Sequence, residues 1–177
     1  MKFEIPFVEN IYKNQVNLNF DLVWKKTIKK NKKTLLTSII LFLLGFLIIY
    51  GNDNLGYILI AFSIYGFIEF YKIHSSYKKS KLNYFTITEN ESIKQIELNE
   101  KSIWEFNDEY FRYKDYKYDA KINWIAFKGY RIIEDNLFLD LNVGNFSSYI
   151  LSQKEVGNNH FDNIIQLVDQ KTKRITD

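Results

Sequence analysis

Chemistry needs reactive side chains that can be brought together, and this 177-residue chain offers few of them. It holds two histidines, His74 and His160, and no cysteine. Without Cys or an HxxxH spacing to join them, these histidines do not read as a metal site. Disulfides, thiolate ligands and Cys nucleophiles are excluded outright. There is no glycine-rich phosphate loop, no G-x-S-x-G elbow and no strand-borne carboxylate pair at a telling spacing. Acidic residues gather in polar stretches such as "NDE", "IED" and "ENE", which suit solvated turns. The chain reads as non-enzymatic, with no catalytic, metal or cofactor-binding residue.

One stretch stands out: "EYFRYKDYKYDAK", residues 109–121, in which aromatic and charged residues alternate. Its candidate binding residues are Tyr110, Arg112, Tyr113, Tyr116 and Tyr118. Tyr and Arg are enriched at the anchor points of protein interfaces, so a partner surface is one reading. A strand pair whose Tyr rings cover the sheet is the plainer one. A stacking face for nucleic acid is a third. It is disfavoured because residues 82–177 carry 12 Lys/Arg against 16 Asp/Glu and would repel phosphates.

The elements that must position this stretch begin with a charge asymmetry. Residues 1–81 carry 12 Lys/Arg against 5 Asp/Glu, and the positive charge lies beside two apolar runs. Leu35–Tyr50 is apolar but for Thr37, Ser38 and Gly45, and Leu55–Tyr71 carries one charge, Glu69. Each run spans roughly 24–26 Å as a helix, somewhat short of a hydrocarbon core of ~30 Å. Snorkelling lysines and local thinning can cover such a gap. The segment "IILFLLGFLII" leaves no polar stripe for water, which favours a transmembrane hairpin over a buried soluble one.

Direction follows from the flanks. Lys25, Lys26, Lys29, Lys30, Lys32 and Lys33 precede the first run; Lys72, Lys78, Lys79 and Lys81 follow the second. The connector holds Asp53 and no Lys or Arg, so the positive-inside bias sets both termini in the cytoplasm. These ten lysines form a candidate collar for anionic lipid. Gly56, Ser63 and Gly66 fall near one helix face and would let the two helices approach closely. Glu69 lies further along that face and is expected to pair with Lys32 or Lys33, a proton relay being the weaker alternative.

Four segments result: 1–33, an N-terminal cytoplasmic segment with the basic collar; 34–71, the hairpin; 72–81, a juxtamembrane linker; and 82–177, a cytoplasmic β domain. In the last, strands are expected at Asn83–Thr88, Ser92–Leu98, Ser102–Phe106, Tyr110–Lys114, Lys121–Phe127, Tyr130–Glu134, Asn136–Leu141 and Phe146–Leu151. A helix follows, with Asn159 as its cap and Phe161, Ile164, Ile165 and Val168 on one face. Consecutive strands and one amphipathic helix imply a curved sheet or small barrel closed by that helix. The expected class is an α+β membrane protein.

The order of parts resembles the YcxB-like family of bacterial membrane proteins. The similarity lies in "FDLVWKKTIKKNKK" before the hairpin, "KINWIAFKGYRIIEDNLFLDL" with Trp124, "FSSYILSQKE", and "HFDNIIQLVDQK". That resemblance implies a two-helix membrane hairpin carrying a cytoplasmic domain similar to pleckstrin-homology folds, and it brings no catalytic residue. Where the family often has an Ile-Pro-Lys turn before the last helix, this chain reads Leu151-Ser152-Gln153-Lys154.

The expected function is a membrane-anchored interaction module at a bacterial inner membrane. Its partners would be the bilayer and a protein, not nucleic acid. The alternative is an immunity protein that captures an antibacterial toxin, for which an acidic domain would suit a basic target.

Overall fold

The computed structural model describes residues 1–143 and 148–175. The chain is α+β: two long apolar helices and two antiparallel sheets, arranged in two compact units. One unit is Phe20–Thr86; the other joins Met1–Asn19 to Ile87–Asp177. Helix α1 (Glu9–Tyr50) and helix α2 (Leu55–Leu98) each run from one unit into the other. At 1.5 Å per residue they are about 63 and 66 Å long.

Within Phe20–Thr86 the two helices form an antiparallel hairpin. Its turn is closed by Asn52 in the left-handed region (φ 63°) and by Asp53 Oδ1, which accepts the Leu55 amide at 2.9 Å. Small residues let the backbones meet, as the spacing predicts. A Cβ on Gly56 would overlap the Gly45 carbonyl, and one on Gly66 would overlap Ser38 Oγ. Ser63 and Ser38 are buried, each hydroxyl bonding back to its own helix: Ser63 to Ile60 O and Ser38 to Thr34 O. Asn31 Nδ2 donates across the pair to Phe70 O at 3.2 Å. Both helices are long and apolar enough to cross a membrane, and only 11% and 17% of their most apolar stretches are buried. Glu69 pairs with Lys72 one turn along its own helix at 3.1 Å, not with Lys32 or Lys33. An i,i+3 partner is within reach without bridging two helices.

The other unit contains β1 (Lys2–Ile5), β2 (Ser102–Phe106), β3 (Tyr110–Lys114) and β4 (Asp119–Asn123), which form one sheet in that order. A second sheet is β5 (Phe127–Ile133), β6 (Asn136–Leu141) and β7 (Ser148–Ser152). A one-turn helix α3 (Gln153–Val156) and helix α4 (Asn158–Lys171) follow. Phe106, Phe111, Leu137, Leu139, Leu151, Ile164 and Val168 are fully buried in one shared core.

The strands expected at Asn83–Thr88 and Ser92–Leu98 are instead the last turns of α2. Their inward positions, Tyr84, Phe85, Thr88, Glu91, Ser92 and Gln95, recur with a helical period. Four of those six positions are polar, while Ile87, Ile93, Ile96 and Leu98 lie exposed. Hydrophobicity alone therefore mistakes the period. The helix ends where Asn99 turns left-handed (φ 49°) and its amide bonds back to Gln95 O.

No closed barrel forms among the described residues; the β strands stay in two sheets. The expected strand Lys121–Phe127 is broken by a 3₁₀ turn at Trp124–Ala126, where Asn123 Oδ1 accepts the Ile125 amide. Trp124 is buried there and donates to Asn107 O at 2.9 Å. The outer edge of β5 is taken by the tail: Tyr130 N donates to Lys173 O and Ile175 N donates to Tyr130 O. Gly129 makes this possible, since a Cβ there would lie 2.5 Å from Lys173 O. Of the expected strand Phe146–Leu151, Phe146 and Ser147 lie outside the described residues.

Helix α4 meets the core with Phe161, Ile164 and Val168, while Ile165 is only partly buried. Asn159 is exposed and does not cap it; Gly157 precedes the helix without a side-chain bond. The capping chemistry lies one turn earlier, where Ser152 and Glu155 form a reciprocal box on α3. Glu155 Oε2 also accepts from Gln15 Nε2 at 2.8 Å, tying the start of α1 to α3. Burial pushes the Glu155 carboxyl above its ordinary pKa despite these two donors.

Ile164→Ala is expected to cost about 2–5 kcal/mol, as for other fully buried aliphatics, and Ile165→Ala clearly less. Urea unfolding of the detergent-solubilised chain, followed by tryptophan fluorescence, measures both. Equal losses would contradict the assignment of Ile164 as the inward residue.

Candidate functional site

Two surfaces carry the residues singled out above. The first is the β3–β4 hairpin. Strand alternation sends Phe111 and Tyr113 to the core side and Tyr110 and Arg112 to the other. On the outer side Arg112 grips Asp119 with two parallel bonds of 2.7 Å, and Glu105 lies 3.7 Å from its guanidinium. Tyr110 OH donates to Glu105 Oε1 at 2.9 Å, and Lys121 Nζ sits 3.7 Å above the Tyr110 ring. Arg112 holds the Asp119 carboxyl below the usual carboxylate range, and Asp119 in turn raises Arg112. The outer face is thus a satisfied ladder of two carboxylates, two cations and one phenol.

Tyr113 belongs to the core. Its ring lies 5.1 Å from Trp104 and 5.2 Å from Tyr149, and burial pushes its hydroxyl pKa up. The turn between the strands is set by Asp115, whose Oδ1 accepts the amides of Lys117 and Tyr118 at 2.8 and 2.9 Å. Tyr116 OH and Lys117 Nζ both reach Glu91 near the end of α2, the latter at 2.8 Å. Tyr118 stays half exposed beside them. The five candidates therefore do not form one patch. Tyr110 and Arg112 share the outer face, Tyr113 packs inward, and Tyr116 and Tyr118 flank the turn.

The second surface is the basic band on the hairpin. All ten candidate lysines are exposed. With Asn31 bonded to Phe70 and Trp24 packed on Tyr77 at 5.4 Å, Lys25 through Lys33 lie level with the segment Lys72–Lys81. The two sets form one band about 13 Å deep. Within it, Lys72 is engaged by Glu69, and Lys81 lies 5.8 Å from the Phe85 ring. Below the band Phe20 is fully buried among Trp24, Tyr77, Tyr84 and Phe85.

The histidines sit apart: His74 stacks on Phe70 and His160 meets the Phe3 ring edge-on. Among the described residues no group of His, Asp and Glu could hold a metal ion. Glu91 and Glu155 are the residues that sequence reasoning missed. Glu91 was concealed by the "ENE" turn signal. Glu155 was announced by the S-x-x-E spacing from Ser152, which is a capping-box signature. Comparison with known proteins returns no matching family model, no matching characterised protein and no matching solved structure.

Glu91 carries a pH dependence. Bonds from Lys117 and Tyr116 lower its pKa from the ordinary value of 4.5, so it stabilises the fold above that pH. The contribution is lost as pH falls through the lowered value, because the protonated acid no longer pairs with Lys117. Glu91→Gln is therefore expected to lower stability at pH 7 and to narrow its deficit against wild type as the pH falls below about 4.5. Thermal unfolding across that range measures the difference, and a constant deficit at every pH would refute the ion pair.

Proposed function

We propose that this chain is a membrane-tethered, non-enzymatic interaction module on the cytoplasmic face of a bacterial inner membrane. The observation that carries the reading is the pairing of β1 with β2. Residues 2–5, before the hairpin, lie antiparallel to residues 102–106, after it, with Phe3 opposite Trp104. One sheet cannot be built from strands on opposite sides of a bilayer, so a hairpin crossing twice satisfies the pairing. The mostly exposed apolar stretches support insertion. The ten-lysine band and the lysine-free connector support a cytoplasmic side for both ends.

The likeness to pleckstrin-homology folds, and with it to the YcxB-like family, rests on a four-stranded and a three-stranded sheet followed by a helix against the core. In this reading the hairpin is an insertion between the first and second strands of that domain. The surface offered to a protein partner is Tyr110 and Arg112 on the outer face, with Tyr118 at the turn. An immunity protein against a basic toxin is the second reading, favoured by the excess of acidic residues after position 82.

The chain has no cysteine, so single substitutions report topology directly. In intact cells an impermeant maleimide is expected to label Asn52→Cys and to spare Ser80→Cys. Labelling at position 80 but not 52 would invert the orientation, and labelling at neither would argue against a hairpin that crosses.

A further inference from the structure

The basic band is not uniform. On one side of the hairpin a groove of about 360 Å³ opens between the helices and runs from the lysines into the apolar stretch. Lys30, Lys33 and Thr37 line its polar end, and Leu41 and Phe62 its apolar end. Gly66 and Ser38 also line it, packed so closely that a Cβ on Gly66 would overlap Ser38 Oγ. From Lys30 to Leu41 the groove follows eleven helical rises, about 16 Å.

We propose that this groove is a binding site for one anionic phospholipid, a step that rests on the hairpin spanning a membrane. The headgroup phosphate sits between Lys30 and Lys33, with the Thr37 hydroxyl as a further donor, and an acyl chain lies along Leu41 and Phe62. Three features argue for it. Neither lysine is paired with a carboxylate among the described residues, whereas Lys72 in the same band is engaged by Glu69. Two ammonium groups without counter-charge select a net-negative headgroup over a zwitterionic one. The apolar half of the groove matches a lipid chain and has no counterpart in a free phosphate ion. Other lysines of the band, such as Lys78 and Lys79, do not line the groove and give only diffuse attraction.

The test uses the full chain reconstituted in nanodiscs of equal phosphatidylglycerol and phosphatidylcholine, with lipid retained on release read by native mass spectrometry. Wild type is expected to keep one phosphatidylglycerol. Lys30→Gln with Lys33→Gln should lower that retention roughly tenfold or more. Lys78→Gln with Lys79→Gln removes the same charge outside the groove and should lower it several-fold less. Equal losses in the two double variants would overturn the site in favour of a diffuse collar. Displacement of the lipid by inorganic phosphate would reassign it as a free-anion site. Flotation of the chain with vesicles, measured alongside, separates the two levels. Flotation without a retained lipid defeats the groove alone, whereas failure to float defeats the membrane reading as well.

Discussion

Strand β1 has no partner in its own neighbourhood. The residues that complete its hydrogen bonds lie about a hundred positions later, in β2, and between them run both long helices. Buried backbone groups must be paired, so Lys2–Ile5 can join the sheet only if the intervening chain comes back to where it started. Ile5, buried against the same core as Trp104 and Phe106, adds apolar area to that requirement. Everything else is arranged around a hairpin that returns.

The return is made by small residues. With Gly56 against the Gly45 carbonyl and Gly66 against Ser38, the helices approach as closely as backbones allow. Close van der Waals contact through small residues is what holds two apolar helices together at such a distance. Polar groups at the seam are few and inward: Ser38, Ser63 and Asn31 are buried, and Asn31 bridges to Phe70. The lysines of the hairpin are confined to one band at the end away from the connector.

The β unit solves a different problem, that of two small sheets around one aromatic core. Phe111 lies at its centre, 5.0 Å from Tyr149 and 5.8 Å from Phe127, and so joins strands of both sheets. The sheets do not close, because the 3₁₀ turn at Trp124 interrupts one strand and the tail beyond α4 occupies the free edge of β5. Polar ties then lock the parts that apolar packing leaves loose. Glu91 holds the β3–β4 turn, Glu155 holds Gln15, and Arg131 holds Asp140 by two bonds of 2.6 and 2.8 Å. Of these, the partly exposed Glu91–Lys117 pair contributes at most about 1 kcal/mol, while the Arg131–Asp140 and Gln15–Glu155 contacts lie largely buried.

Composition and short-range pattern alone determined the apolar hairpin, its small-residue face, the lysine band, and strands β2, β3 and β6 at their observed bounds. Those features depend on hydrophobic periodicity and on turn residues, which are local properties of the chain. Helix α4 and its inward residues Phe161, Ile164 and Val168 were legible for the same reason. Tertiary structure decided the rest. Residues 83–98 are helix although their inward stripe mixes Thr, Glu, Ser and Gln with aromatics, and Glu91 finds Tyr116 and Lys117 only through the tertiary fold. The division of the tyrosines was likewise hidden: alternation says that Tyr110 and Tyr113 face opposite ways, but not which way holds Trp104. Pairing between β1 and β2 could not be read at all, since strand partners a hundred residues apart leave no mark on the sequence near either one.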